Sequence, residues 1–221
     1  MVFLHGYLSS KEAFAAQIAY FSRFYRVTAL DFLGQGASGT LTEAYSVDDY
    51  AAWTEQVLND LGVQNPWIVA HSFGCRVAVK MAKRGKIPLQ KMVLTGPAGV
   101  VLPRSASYRR RVRAYRFVKK FAPRFAERHF GSAEYRTLSP IMRESYKKIV
   151  NEDLRGDAAC IQGRVLMIVG KEDTVTPLKE AQAYLAVMRD ANIAVMDGGH
   201  FAFAQHPVVF NLLVEEFLQD V

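Results

Sequence analysis

Short apolar runs alternate with longer amphipathic stretches over most of the chain. The apolar runs have the length of buried strands, and the stretches between them carry apolar side chains at helical spacing. The predicted strands are residues 2–4, 25–30, 67–70, 92–95, 165–169 and 193–196, and the predicted helices lie within 11–24, 46–62, 73–85, 178–188 and 207–218. Such alternation is typical of an α/β fold, in which about six mostly parallel strands form a sheet with helices on both faces.

The alternation stops between the fourth and fifth predicted strands. Residues 97–157 carry only helical patterns, over about 105–121, near Phe125 and over about 140–150. Ser139 and Pro140 suit the start of the last of these, because serine caps helices and proline fits the first turn. We therefore predict a core of residues 1–96 and 158–221 and a helical insertion of residues 97–157.

Composition narrows the class of protein. The chain has 221 residues, half of them apolar, which suits one globular domain with an insertion. No apolar run approaches the roughly 20 residues that span a bilayer, and the first residues lack the basic start of a signal peptide. Cys75 and Cys160 are too few for a disulfide framework and lack metal-site spacing, so we expect reduced thiols and a cytoplasmic location.

The net charge of +7 is concentrated in the insertion. Residues 103–130 hold ten of the 28 Lys and Arg but only one of the 21 acidic residues, which leaves 18 basic and 20 acidic residues elsewhere. This distribution argues against a protein that coats nucleic acid. We predict a small-molecule substrate instead, and no pattern in the sequence indicates an oligomeric state.

The basic side chains of the insertion are open to more than one interpretation. In the predicted helix 105–121 an apolar face is separated from most of the arginines. The residues of that face are Tyr108, Val112, Tyr115 and Val118, whereas Arg109, Arg110, Arg113, Arg116 and Lys120 lie largely elsewhere. The basic face is either solvated or binds an anionic substrate group, since arginine holds carboxylate and phosphate bidentately. A third role, attraction to a membrane surface, is one that we do not expect.

A glycine-rich loop follows the second predicted strand. Residues 34–39, GQGASG, match the G-x-G-x-x-G pattern of dinucleotide-binding sites. Such a site needs a helix that opens at the third glycine, and residues 40–43 have no apolar helical face. We therefore predict a loop near the mouth of the site and no nucleotide cofactor.

Ser72 lies between the third predicted strand and the helix that follows it. At a strained strand-to-helix turn a serine hydroxyl projects from the backbone, and the N–H groups that open the helix point toward developing negative charge. The turn needs small residues two positions to either side, and Ala70 and Gly74 supply them in an A-x-S-x-G pattern. The alternative is an ordinary strand-to-helix turn that contains a serine.

A serine nucleophile needs a base, and five histidines are available. His200 follows Gly198 and Gly199 directly after the last predicted strand, at the sheet edge where functional groups gather in α/β folds. It is our choice, and the other histidines are His5, His71, His129 and His206.

The acid that orients the base should also follow a strand. Asp173, in the loop after the fifth predicted strand, is our choice, and Glu172 is the alternative. Asp173 could instead form only a local turn hydrogen bond, as aspartate often does. The chain order Ser72, Asp173, His200 is that of α/β hydrolases.

These residues, taken in order, resemble the α/β-hydrolase family over nearly the whole chain. The motifs are His5-Gly6, Asp31-x-x-Gly34-x-Gly36-x-Ser38, His71-Ser72-Phe73-Gly74, Gly170-x-x-Asp173 and Gly199-His200. The chain departs from the family pattern in two ways. Ala70 replaces the usual glycine, and the chain begins inside the first strand, which an antiparallel pair usually precedes.

The resemblance implies more than the residues alone predict. It implies an oxyanion hole formed by the backbone N–H groups of Tyr7 and Phe73, and a helical cap formed by residues 97–157. It implies a carboxylesterase- or thioesterase-like serine hydrolase that acts through an acyl-enzyme, without metal or organic cofactor. Cleavage of a C–C bond, a lyase or acyltransferase reaction with the same residues, and a ligand-binding sensor with weak hydrolase activity remain open alternatives.

Overall fold

Six parallel strands form the centre of the molecule. The computed structural model describes residues 1–102, Arg110, Arg113 and 138–220. The strands are β1 (Val2–Leu4), β2 (Thr28–Leu30), β3 (Ile68–His71), β4 (Lys91–Thr95), β5 (Arg164–Gly170) and β6 (Ala191–Met196). They pair in the order β2-β1-β3-β4-β5-β6, and every pairing is parallel. The predicted α/β fold with a mostly parallel sheet is confirmed.

Helices connect the strands and cover the sheet. Within the described residues, a 3₁₀-helix spans Lys11–Phe14 and the α-helices are α1 (Ala15–Phe21), α2 (Val47–Asp60), α3 (Phe73–Arg84), α4 (Pro140–Val150), α5 (Arg155–Ala158), α6 (Leu178–Leu185), α7 (Ala202–Gln205) and α8 (Pro207–Gln219). The second predicted strand is shorter than expected, and the first predicted helix is a 3₁₀ turn that leads into α1.

Alternate residues of the strands point to opposite faces, so the sheet divides the core in two. Leu4, Ala70 and Leu94 pack in a layer with α2, α3 and α6. Their neighbours Phe3, Val69 and Val93 pack in the other layer with α1, α7 and α8. Both layers are buried, which is why these strands are apolar on both sides.

The predicted insertion is described at its two ends. Helix α4 begins as expected, with Pro140 in its first turn and the Ser139 hydroxyl accepting a hydrogen bond from the Met142 N–H (3.3 Å). Of the predicted helix 105–121, Arg110 and Arg113 are helical and exposed, and the rest, like the helix near Phe125, lies outside the described residues. Both ends meet where the Leu154 N–H donates to the Gly99 carbonyl (2.8 Å).

The glycine-rich loop after β2 folds around Asp31. Residues 31–46, all of which are described, contain no helix, as the sequence predicted. Burial opposes ionisation of Asp31, but hydrogen bonds from Lys11 and Ala37 outweigh it and lower the pKa to about 2. Gly36, at φ +55°, passes so close that a Cβ there would lie 2.4 Å from the Asp31 carboxyl carbon. The glycine-rich loop therefore forms a turn around the Asp31 carboxylate.

Two further expectations concern membranes and thiols. No helix within the described part of the chain combines the length and the apolar content needed to cross a membrane. Cys75 and Cys160 are both free thiols, as predicted.

Candidate active site

Ser72 occupies a sharp turn between β3 and α3. Its backbone has φ 49° and ψ −107°, in the region of positive φ that residues with side chains rarely adopt. Gly74 makes the turn feasible, because a Cβ there would lie 2.2 Å from the Leu4 carbonyl oxygen at the end of β1. Ala70 is accommodated inside β3, where it is fully buried. The predicted strained turn is thus present with alanine in place of the usual glycine.

His200 and Asp173 meet at the ends of β6 and β5. The His200 Nδ1 lies 2.8 Å from the Asp173 Oδ2, and the Thr176 Oγ1 lies 2.9 Å from the same oxygen. The backbone N–H groups of Val175 and Thr176 donate to the Asp173 Oδ1 (2.8 and 2.9 Å). Asp173 therefore makes both the local turn and the contact with the imidazole.

The environment of Asp173 favours its ionised form. Burial would raise its pKa, but hydrogen bonds from His200 and Thr176 oppose burial and lower the pKa below its usual value. The neighbouring Glu172 carboxylate instead accepts a hydrogen bond from the Gly198 N–H (2.8 Å). Of the two acids that the sequence left open, Asp173 is the one that contacts His200.

His71 supports His200, which the sequence did not predict. Its Nε2 lies 2.9 Å from the His200 carbonyl oxygen, and the two rings are 4.6 Å apart between centroids. Burial lowers the pKa of His71 to about 3, so the ring is neutral. Its Nδ1 has no hydrogen-bond partner in the described part of the chain, which assigns the ring proton to Nε2. Direct adjacency to Ser72 was the only signal of this role in the sequence.

The remaining histidines lie elsewhere. His5 is buried, its Nε2 accepts a hydrogen bond from the Phe32 N–H (3.0 Å), and its Nδ1 lies 2.6 Å from the Gly6 carbonyl oxygen. His206 is exposed at the start of α8, and His129 lies outside the described residues.

Ser72 and His200 line one cavity of about 910 Å³. Tyr7 and Phe73, whose backbone N–H groups the sequence proposed as oxyanion donors, also line it, and their rings are 5.3 Å apart. The Tyr7 hydroxyl donates to the Met142 carbonyl of α4 (3.2 Å), so α4 forms part of the enclosure. Burial raises the pKa of this hydroxyl.

Two charged residues in the cavity wall were missed by sequence analysis. Arg76 and Glu180 both line the space beside Ser72. Burial raises the pKa of Glu180 to about 7, although the nearby Arg76 charge acts in the opposite direction. Their positions within helices α3 and α6 gave no sign of this role. The described residues contain no cluster of three or more side chains suited to hold a metal ion.

The geometry can be compared with that of known proteins. A family model described as the alpha/beta hydrolase fold matches residues 1–160. The chain belongs to the α/β hydrolase family. It is 29% identical to a 2-hydroxymuconate semialdehyde hydrolase of Pseudomonas putida, over 88% of this chain and 77% of that protein. The family and this relative support assignment as a hydrolase.

Solved structures agree with this family in fold. A hydrolase from Pseudomonas aeruginosa superposes with a TM-score of 0.78 at 20% identity, covering 99% of this chain and 89% of that one. An esterase from Exiguobacterium antarcticum superposes with a TM-score of 0.77 at 21% identity, covering 99% and 91% of the two chains. At sequence identities of 20% and 21%, these matches establish a shared fold. The reaction that this chain catalyses depends on the residues of its own site.

Proposed function

We propose that this α/β hydrolase is a serine hydrolase that cleaves a small acyl substrate through an acyl-enzyme. The observation that carries the proposal is the strained Ser72, placed in one cavity with a His200 imidazole that the buried Asp173 orients. In this assignment Ser72 is the nucleophile, His200 the general base and Asp173 the orienting acid.

The reaction follows from these positions. Because Nδ1 of His200 is bound to Asp173, Nε2 is the nitrogen left to accept the Ser72 proton as Oγ attacks the acyl carbon. The backbone N–H groups of Tyr7 and Phe73 would stabilise the oxyanion. The imidazolium then protonates the leaving group, whose bond to the acyl carbon breaks. Water, deprotonated by His200, attacks the acyl-enzyme and releases the acid.

The helical insertion also has a role in the proposed reaction. We propose that residues 97–157 cover the core as a cap, with α4 as the described part of the cover. Tyr146 and Ile149 of α4 line the cavity together with Ser72 and His200. The cap would exclude bulk water and set the size of the acyl group.

Activity of Ser72→Ala on short p-nitrophenyl esters and thioesters tests the proposal. We expect a loss of at least about 10³-fold in kcat/KM, because the nucleophile is removed while the oxyanion donors remain. A fluorophosphonate probe should label the native protein and Ser22→Ala, which changes an exposed serine of the first helical region, but not Ser72→Ala. Equal labelling or turnover by a folded Ser72→Ala would contradict the assignment. Product analysis then separates hydrolysis from lyase or acyltransferase reactions.

A further inference from the structure

A buried guanidinium lies one helical turn from the proposed nucleophile. Arg76 follows Ser72 by four residues, so it lies along the same side of α3, and it also lines the cavity. Its residue exposure is only 8%, which is rare for an arginine.

Part of this guanidinium is already bound. The Arg76 Nη1 donates to the carbonyl oxygens of Ile149 and Glu152, both at 2.9 Å, at the C-terminal end of α4. These two bonds use the two protons of Nη1 and connect α4 to the core. The hydrogen bonds of Arg76 to described residues both come from Nη1, so the protons on Nε and Nη2 are left for another acceptor.

The positive charge of Arg76 also lacks a firm counter-charge. No described carboxylate forms an ion pair with it, and Glu152 pairs with Lys80 instead (2.6 Å). Glu180 is the other acid whose charge acts on Arg76, and it is about half protonated near neutral pH because burial raises its pKa to about 7. A buried, unpaired charge is costly unless a ligand compensates it.

We propose that Arg76 binds a carboxylate group of the substrate, with its Nε and Nη2 as the donors. This inference rests on the proposed hydrolase function and adds a substrate class to it. Because Arg76 follows Ser72 by four residues, which is about 6 Å along the helix axis, the carboxylate lies a few bonds from the acyl carbon. Monoesters of short dicarboxylic acids have this spacing. Tethering α4 explains the bonds of Nη1 but leaves the other donors unused.

The neighbouring charges make this recognition sensitive to pH. Glu180 is influenced by Arg76, Asp173 and His200, and Arg76 in turn by Glu152, Tyr146 and Tyr184. When Glu180 ionises, it repels a bound carboxylate and competes for Arg76. Selectivity for the anion should therefore fall as the pH rises through about 7, and Glu180→Gln should remove that dependence.

A pair of matched esters measures the selectivity. The p-nitrophenyl monoester of succinic acid carries a carboxylate where p-nitrophenyl isocaproate carries an uncharged isopropyl group. We expect Arg76→Met to lower the ratio of their kcat/KM values about 10- to 100-fold, as expected for a lost charge-assisted hydrogen bond. Arg76→Lys should keep part of the preference. Lys80→Met removes a cation on the same helix that also contacts the segment after α4, and it should leave the ratio unchanged.

Binding without turnover gives an independent readout. Succinate should raise the melting temperature of the native protein and of Ser72→Ala, but not that of Arg76→Met. If the methionine variant does not fold, Arg76→Lys replaces it, and succinate should raise its melting temperature less than that of the native protein. If native protein cleaves neither ester, the hydrolase proposal fails while the succinate shift still decides the role of Arg76. An unchanged ester ratio in Arg76→Met, or an equal succinate shift in all variants, overturns the inference.

Discussion

At the scale of single residues, His71 determines where the backbone of His200 lies. Its Nε2–H donates to the His200 carbonyl from a buried, neutral ring, and a hydrogen bond of this kind contributes about 1 kcal/mol to stability. The bond joins the residue before Ser72 to the proposed base itself. This hydrogen bond, from the end of β3 to the loop after β6, therefore helps to set the position of the proposed base relative to the turn.

Replacing His71 tests this positioning role. We expect His71→Leu to lower kcat/KM about tenfold or more and to shift the pH profile of kcat/KM, because His200 is held less firmly against Asp173. His71→Gln, whose amide can donate from a similar place, should retain most of the activity. An unchanged pH profile in a folded His71→Leu would show that the residue contributes packing alone.

At the scale of elements, the turn depends on the close approach of α3 to β1. Gly74 sits in the first turn of α3 where the backbone of Leu4 leaves no room for a side chain. The strained backbone of Ser72 is retained because α3 packs against both β3 and β1, which are themselves paired. The geometry of the proposed nucleophile thus depends on three packed elements.

Gly74→Ala should destabilise the protein through this contact. We expect the free energy of unfolding to fall by about 2–3 kcal/mol, the cost of forcing a methyl group into a packed core. Gly156→Ala is the matched control, because Gly156 is also helical and a Cβ there meets no atom within 4 Å. Urea unfolding of both variants measures the difference. Equal stability of the two variants would contradict the packing argument.

At the scale of the whole molecule, burial of His71 links stability to pH. Burial lowers the pKa of His71 in the folded protein to about 3, whereas the ordinary value for histidine is 6.5. Between these values the unfolded chain binds more protons, so the folded state is stabilised as the pH rises. Stability is lost as the pH falls from 6.5 toward 3, with a contribution of up to about 1.4 kcal/mol per pH unit.

Two acids with shifted pKa values, Glu180 and Asp31, also contribute to the pH dependence of stability. Glu180 has the opposite sign, since its pKa is raised from 4.5 to about 7 and its contribution to stability is lost as the pH rises through that range. The pKa of Asp31 is lowered from 3.8 to about 2, so it acts only at lower pH. The difference in unfolding free energy between the native protein and His71→Gln therefore reports the contribution of His71 alone.

Urea unfolding of the native protein and of His71→Gln between about pH 6.5 and 4 tests the linkage. We expect the native protein to lose stability more steeply on acidification than His71→Gln does. His206→Gln, which changes an exposed histidine, should follow the native curve. Parallel curves for native protein and His71→Gln would mean that His71 has no depressed pKa.

The periodicity of apolar residues determined the six strands, their flanking helices and the α/β class, because strand and helix patterns are local properties of a sequence. It also placed Ser72, Asp173 and His200 after strands, at one edge of a parallel sheet. The sequence also predicted the tight turn at Ser72 from Ala70 and Gly74, because the need for small residues at such a turn is a local property.

Only the tertiary structure decided which side chains meet. The sequence favoured Asp173 but left Glu172 as an alternative, and packing of the loops after β5 and β6 placed Asp173 against His200, 27 residues away. His71 reaches the His200 carbonyl across 129 residues, and Arg76 reaches Ile149 across 73. No local pattern encodes such contacts, because burial and pairing of a polar group depend on every element that packs around it.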